Sequence, residues 1–104
     1  MPLFLAKKEV FDWLSQGLKT IDIRKGNPRT GDVAVFICGS RRLFLKVVKI
    51  QSGTLMDLVR SDNYCSIIPT AVSVGDVVVY LRRIYGSVDG LFTAYTLAPY
   101  NHSI

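Results

Sequence analysis

Three side chains capable of chemistry lie within six positions of one another, in the stretch Gly17-Leu18-Lys19-Thr20-Ile21-Asp22-Ile23-Arg24. An arginine can hold a phosphate by a two-point fork and a lysine by its point charge. Asp22 and Arg24 are two residues apart, so on a strand they share a face. Asp22 can therefore fix the Arg24 guanidinium, or accept a hydrogen bond from the exocyclic amine of a base. The pattern predicts an anion-binding cleft with an acceptor beside it.

The positive charge continues beyond this stretch, at Lys25 and Arg29. Both lie in or next to a predicted loop over residues 25–32, whose glycines and proline are typical of turns. Backbone amides near Gly26 can add donors for a phosphate. The alternative interpretation is a solvated strand edge, whose surface ion pairs contribute about 0–1 kcal/mol.

The same stretch resembles the hallmark of the ASCH family, small domains of the PUA-like group, which reads G-x-K-x-x-E-x-R. The four fixed places are occupied here by Gly17, Lys19, Asp22 and Arg24, with aspartate where the family usually has glutamate. The resemblance continues in the turn at residues 30–33 and in the run Leu81-Arg82-Arg83-Ile84-Tyr85-Gly86. It spans the chain from about Lys8 to Leu97.

This resemblance implies a PUA-like pseudo-barrel with a charged cleft that binds RNA or a nucleotide. The predicted nucleic-acid-binding residues are Lys19, Asp22, Arg24, Lys25, Arg29 and Tyr85, the last as a stacking ring beside two arginines. Some relatives remove an acyl group from a modified cytidine. They use a lysine matching Lys19, a threonine at the place of Asp22 and a glutamate in the middle loop, where this chain offers Asp62. A small amidohydrolase with Lys19 as its catalytic residue is therefore the alternative function.

Length and composition set the broad class. The 104 residues predict one domain, 1–104, and 49% apolar residues fit a packed core. The net charge of +5 favours anionic partners. One histidine and two separated cysteines, Cys38 and Cys65, complete no metal set, so we expect neither a metal nor a cofactor. Without a visible signal peptide or a long apolar run, the predicted setting is cytoplasmic, with no membrane association and Cys38 as a buried free thiol.

Five strands and a helix would position these residues. The helix is predicted over Lys7–Gln16, with an apolar stripe and Gly17 as its left-handed cap. The predicted strands are Leu3–Ala6, Thr20–Arg24, Val33–Cys38, Leu43–Gln51 and Leu91–Ala98. A β-bulge near Val47 would turn both Lys46 and Lys49 outward.

Residues 73–85 fit two patterns. Apolar residues recur there at helical spacing behind a capping box, Ser73 with Asp76, while residues 74–80 also look like the turn and strand at 30–36. We favour a helix, and predict a second, short helix after Thr54. The expected fold is α+β, a small mixed β-barrel of about five to six strands and two to three helices.

A third hypothesis concerns the predicted loop over Ser61–Thr70. Its apolar segment Ile67-Ile68-Pro69 would serve as a docking surface for a protein partner. His102 is predicted to lie in a C-terminal tail.

Overall fold

The computed structural model describes residues 1–101, in which five strands form one mixed sheet and four helices pack against it. The strands are β1 (Leu3–Leu5), β2 (Ile21–Lys25), β3 (Val33–Cys38), β4 (Arg41–Gly53) and β5 (Phe92–Pro99). The helices are α1 (Lys8–Ser15), α2 (Leu55–Leu58), α3 (Tyr64–Ile67) and α4 (Val74–Tyr85). The α+β class is confirmed, but the helices exceed the two to three predicted. His102 lies outside the described residues.

The sheet has the strand order β1-β3-β4-β5-β2. β1 pairs with β3 in parallel and every other pair is antiparallel. The sheet curls into a half-barrel, so that its two end strands, β1 and β2, approach each other. The pairing of β4 with β5 shifts between Val47 and Lys49, which confirms the predicted bulge, and both Lys46 and Lys49 are exposed.

Alternation along the strands gives the sheet an apolar core on each face. Along β5, Phe92 and Ala94 pack with α2, α3 and α4 on one face, whereas Tyr95 and Leu97 pack with β1 and β3 on the other. α1 contributes to both cores, because Trp13 joins the first and Phe11 the second.

α4 confirms the helical interpretation of residues 73–85. The Ser73 hydroxyl accepts a hydrogen bond from the Asp76 amide at its start, and Gly86, with φ of 77°, ends it. Only glycine adopts that left-handed conformation without a steric cost. The helix therefore stops at Tyr85, which is held against the outer edge of β2.

The segment predicted as a loop, Ser61–Thr70, is only partly a loop, because its middle forms a helix that contributes to the core. It contains α3, and the side chains of Ile67 and Ile68 are buried. The prediction of an apolar docking loop at Ile67-Ile68-Pro69 is therefore wrong, because its two isoleucines already face the sheet and α4.

The cysteines are free thiols. Cys38 is half-buried rather than buried, since it lies at the end of β3 beside the hairpin turn, and Cys65 is exposed. None of the helices in residues 1–101 has the length and apolar content needed to cross a membrane.

Candidate functional site

The two end strands of the half-barrel each leave a row of backbone groups without a neighbouring strand. The backbone groups of Pro2 and Ala6 bond to β3, so those of Leu3 and Leu5 point away from the sheet. In β2 the even-numbered residues face β5, so the carbonyls of Ile21 and Ile23 point away as well. We call the gap between these two outer edges the seam.

Arginines bridge the seam from the side of β2. Nη1 of Arg24 donates to the carbonyl oxygen of Leu5 at 2.9 Å, and Nη1 of Arg29 donates to that of Leu3 at 2.9 Å. The two guanidinium groups also lie 4.8 and 5.2 Å from the centre of the Phe4 ring, within reach of a cation–π interaction. Side chains thus take the place of the hydrogen bonds that a further strand would make.

The exposed edge of β2 is capped in the same way. Nζ of Lys19 donates to the carbonyl oxygens of Ile21 at 2.8 Å and Ile67 at 2.6 Å, which also ties β2 to the end of α3. The Tyr85 hydroxyl donates to the carbonyl oxygen of Ile23 at 3.3 Å. Tyr85 is half-buried, and its ring makes a T-shaped contact with that of Phe92, at an interplanar angle of 76°.

Asp22 lies between the two cations of the motif, with only 3% of its surface exposed. Its Oδ2 accepts a hydrogen bond from Nε of Arg24 at 2.6 Å, and its Oδ1 lies 3.7 Å from Nζ of Lys19. Burial lowers the pKa of Lys19 from its ordinary value of 10.5, and the Asp22 carboxylate partly offsets this effect. The motif is therefore a buried ion cluster with one negative and two positive members.

Two adjacent pockets lie beside this cluster. The inner pocket, about 130 Å³, has Lys19 and Asp22 in its wall and is otherwise mostly apolar. The outer pocket, about 420 Å³, follows the seam; its lining residues are Leu3, Phe4, Leu5, Arg24, Lys25, Arg29 and Tyr85. Leu5, Arg24 and Tyr85 line both.

All six residues predicted for the site meet at these two pockets. Sequence reasoning missed Phe4 and Tyr80. In the sequence, Phe4 is one apolar residue of a predicted strand, and nothing there indicates its contact with the arginines. Tyr80 lies in a segment whose pattern indicates a helix or a strand but no binding site. Among residues 1–101, no three acidic, histidine or cysteine side chains are grouped so that they could hold a metal ion.

Replacing Arg24 by lysine tests the role of the fork at the seam. Arg24→Lys keeps the charge but cannot hold Asp22 and the Leu5 carbonyl at once, so we expect the free energy of unfolding to fall by about 1–3 kcal/mol. The measurement is urea unfolding followed by circular dichroism. Arg42→Lys, at an exposed position of β4, is the matched control and should change stability by less than about 0.5 kcal/mol. Equal stabilities of the two variants would contradict the bridging role.

The lowered pKa of Lys19 makes its contribution to stability depend on pH. Above the folded-state pKa, Lys19 is neutral in the folded protein but still protonated when unfolded, so unfolding takes up a proton. We therefore compare the free energies of unfolding of the parent and of Lys19→Met. The parent value minus the variant value should rise with pH through the folded-state pKa of Lys19 and level off above 10.5, the ordinary pKa of lysine. Unfolding curves at a series of alkaline pH values measure this difference, and a constant difference would show that the pKa is not lowered.

Comparison with known proteins identifies similar folds only. No family model matches the chain, and no curated protein matches it. Solved structures do match it, among them those of PH0355 and PF0455. The crystal structure of the hypothetical protein PH0355 has a TM-score of 0.78 at 17% sequence identity, over 96% of this chain and 100% of that one. The solution structure of protein PF0455 from Pyrococcus furiosus has a TM-score of 0.68 at 17% identity, over 97% and 98%. The half-barrel is thus a fold already seen in solved structures.

Proposed function

We propose that this chain is an ASCH-type domain with a PUA-like fold, and that the seam is its binding cleft for RNA or a nucleotide. The main support is the charge of the outer pocket. Arg24, Lys25 and Arg29 line it, while the one acidic residue lining either pocket, Asp22, already has two cationic neighbours. The outer pocket of the cleft thus has an excess of positive charge.

The donors at the seam suit phosphate groups. Within residues 1–101, the hydrogen bonds of Arg24 use its Nε and Nη1, and those of Arg29 use its Nη1, so each guanidinium keeps donors for a ligand. Lys25 is exposed beside them. Phosphate contacts of this kind would supply most of the affinity, and a base or a 2′-hydroxyl the selectivity. The free thiols of Cys38 and Cys65 fit the reducing, cytoplasmic setting that we also propose.

RNA binding is best tested away from the buried ion cluster, because loss of Lys19 or Arg24 would leave the buried Asp22 carboxylate with one cationic partner fewer. The double variant Lys25→Ala/Arg29→Ala removes two exposed cations of the outer pocket. We expect weaker binding of short single-stranded RNA, and a dependence of log K on log salt that is shallower by about 0.7 for each phosphate that these cations no longer neutralise. Fluorescence anisotropy at several salt concentrations measures both.

The control is Lys46→Ala/Lys49→Ala, which removes the same charge from exposed positions of β4 outside both pockets. It should keep most of the affinity. An equal drop in affinity for the two double variants would assign binding to overall charge rather than to the seam. RNA affinity that does not change with salt would rule out phosphate contacts altogether.

The alternative proposal, hydrolysis of an acylated cytidine, has one observation in its favour. Lys19 lines the inner pocket and burial lowers its pKa, as an amine acting as a base requires. A neutral Lys19 amine would donate its two hydrogen bonds to the carbonyl oxygens of Ile21 and Ile67, and its lone pair would remain available to accept a proton from a substrate or water. If this proposal is right, the protein releases cytidine and acetate from N4-acetylcytidine, and chromatography of the reaction mixture measures the cytidine. Lys19→Met should remain folded but show no turnover. A parent protein inert from neutral to alkaline pH would eliminate it.

A further inference from the structure

We infer that the inner pocket receives a single unpaired nucleobase, whose exocyclic amine donates a hydrogen bond to Asp22. This inference rests on the proposed function and names the part of the ligand that gives it selectivity. It assigns the inner pocket to a base and the outer pocket to the phosphate of the same nucleotide.

The first step is the unequal pairing of the two Asp22 oxygens. Oδ2 accepts a short hydrogen bond from Arg24, whereas Oδ1 is ion-paired with the Lys19 ammonium at 3.7 Å, beyond normal hydrogen-bond length. A carboxylate oxygen has two lone pairs, so this ion pair leaves Oδ1 able to accept a hydrogen bond from a ligand. Asp22 lines the inner pocket, where such a ligand would lie.

The second step is the chemistry that such an oxygen selects. An ionised carboxylate has no hydrogen to donate and can only accept hydrogen bonds. The amine of cytosine or adenine donates to it, while the keto oxygen at the same ring position of uracil or hypoxanthine would meet it as a second acceptor. The floor of the pocket therefore distinguishes an amine from a keto group.

The third step is the shape of the walls. Apart from its charged floor and the Lys7 side chain, the inner pocket is lined by apolar and aromatic side chains, which suit the flat faces of a base. These apolar and aromatic lining residues include Leu5, Val10, Ile68, Tyr80, Ile84 and Tyr85. At about 130 Å³ the pocket suits a ring and leaves the sugar and phosphate outside.

The fourth step is the adjacency of the two pockets, which share the lining residues Leu5, Arg24 and Tyr85. A base in the inner pocket would place its phosphate near the outer pocket, where Lys25 and Arg29 lie. Because a base inside a duplex is stacked and paired, and cannot enter such a pocket, the ligand is a free nucleotide or an unpaired nucleotide of an RNA strand.

Two pairs of nucleotides that differ at one ring substituent test the inference. CMP is compared with UMP, and AMP with IMP, by isothermal titration calorimetry, and short oligo(C) with oligo(U) for the RNA strand. The parent should bind the amine-bearing member of each pair at least about tenfold more tightly. In Asp22→Asn, the amide oxygen would stay with Arg24 and the amide nitrogen would donate into the pocket, so the preference should reverse toward UMP and IMP.

A pocket-filling variant keeps the test valid if Asp22→Asn fails to fold. Ile84→Trp places a large ring at the opening of the inner pocket and should abolish the preference for the amine while salt-sensitive RNA binding remains. Val79→Trp is the matched control, because Val79 is exposed on the same helix but lines neither pocket. It should keep the preference.

Three outcomes separate the inference from the function on which it rests. A preference for the amine that Ile84→Trp removes and Val79→Trp retains supports both. Equal binding within each pair, still weakened by Lys25→Ala/Arg29→Ala, overturns the base pocket and leaves the phosphate cleft standing. If neither the nucleotides nor the RNA strands bind, the proposed function and the inference both fall.

Discussion

The structure depends on closing the seam between β1 and β2. An open half-barrel has two strand edges, and backbone groups at such edges either need partners or invite another chain to pair with them. Here four outward carbonyls, two on each edge, accept hydrogen bonds from Arg24, Arg29, Lys19 and Tyr85. Cationic and phenolic side chains thus replace a strand-to-strand ladder, so the charged motif stabilises the fold.

This structural role explains why the cluster is buried. A carboxylate that is 3% exposed would be costly alone, and it is matched on one side by the Arg24 fork and on the other by Lys19. The cluster nevertheless keeps one excess positive charge, and the exposed Lys25 and Arg29 add two more beside it. A site that is structurally satisfied can still attract an anion, because the donors that close the seam do not exhaust the guanidinium groups.

Much of the fold could be predicted because it depends on local patterns. The bulge in β4 was detectable where Lys46 and Lys49 break the alternation of apolar residues, and α4 where apolar residues recur at helical spacing behind Ser73. The segment around Ile67 was misjudged because Pro69 and its polar neighbours are typical of a loop, whereas burial of its isoleucines against the sheet and α4 stabilises a short helix there. Tertiary contacts of this kind override local propensity.

The sequence by itself determined that Lys19, Asp22 and Arg24 lie next to one another at the start of one strand, since their spacing and the cap at Gly17 act over a few residues. Only the tertiary structure decided what they contact. The curl of the sheet brings β1 to the edge of β2. The Leu5 carbonyl thus accepts a hydrogen bond from Arg24, 19 residues further along the chain, and the Leu3 carbonyl accepts one from Arg29, 26 residues further along. Asp22 and side chains of α4 also line one pocket, although more than fifty residues separate them in the sequence. Strand edges have no sequence signature of their own, because whether a backbone group is unpaired depends on which strands end up beside it.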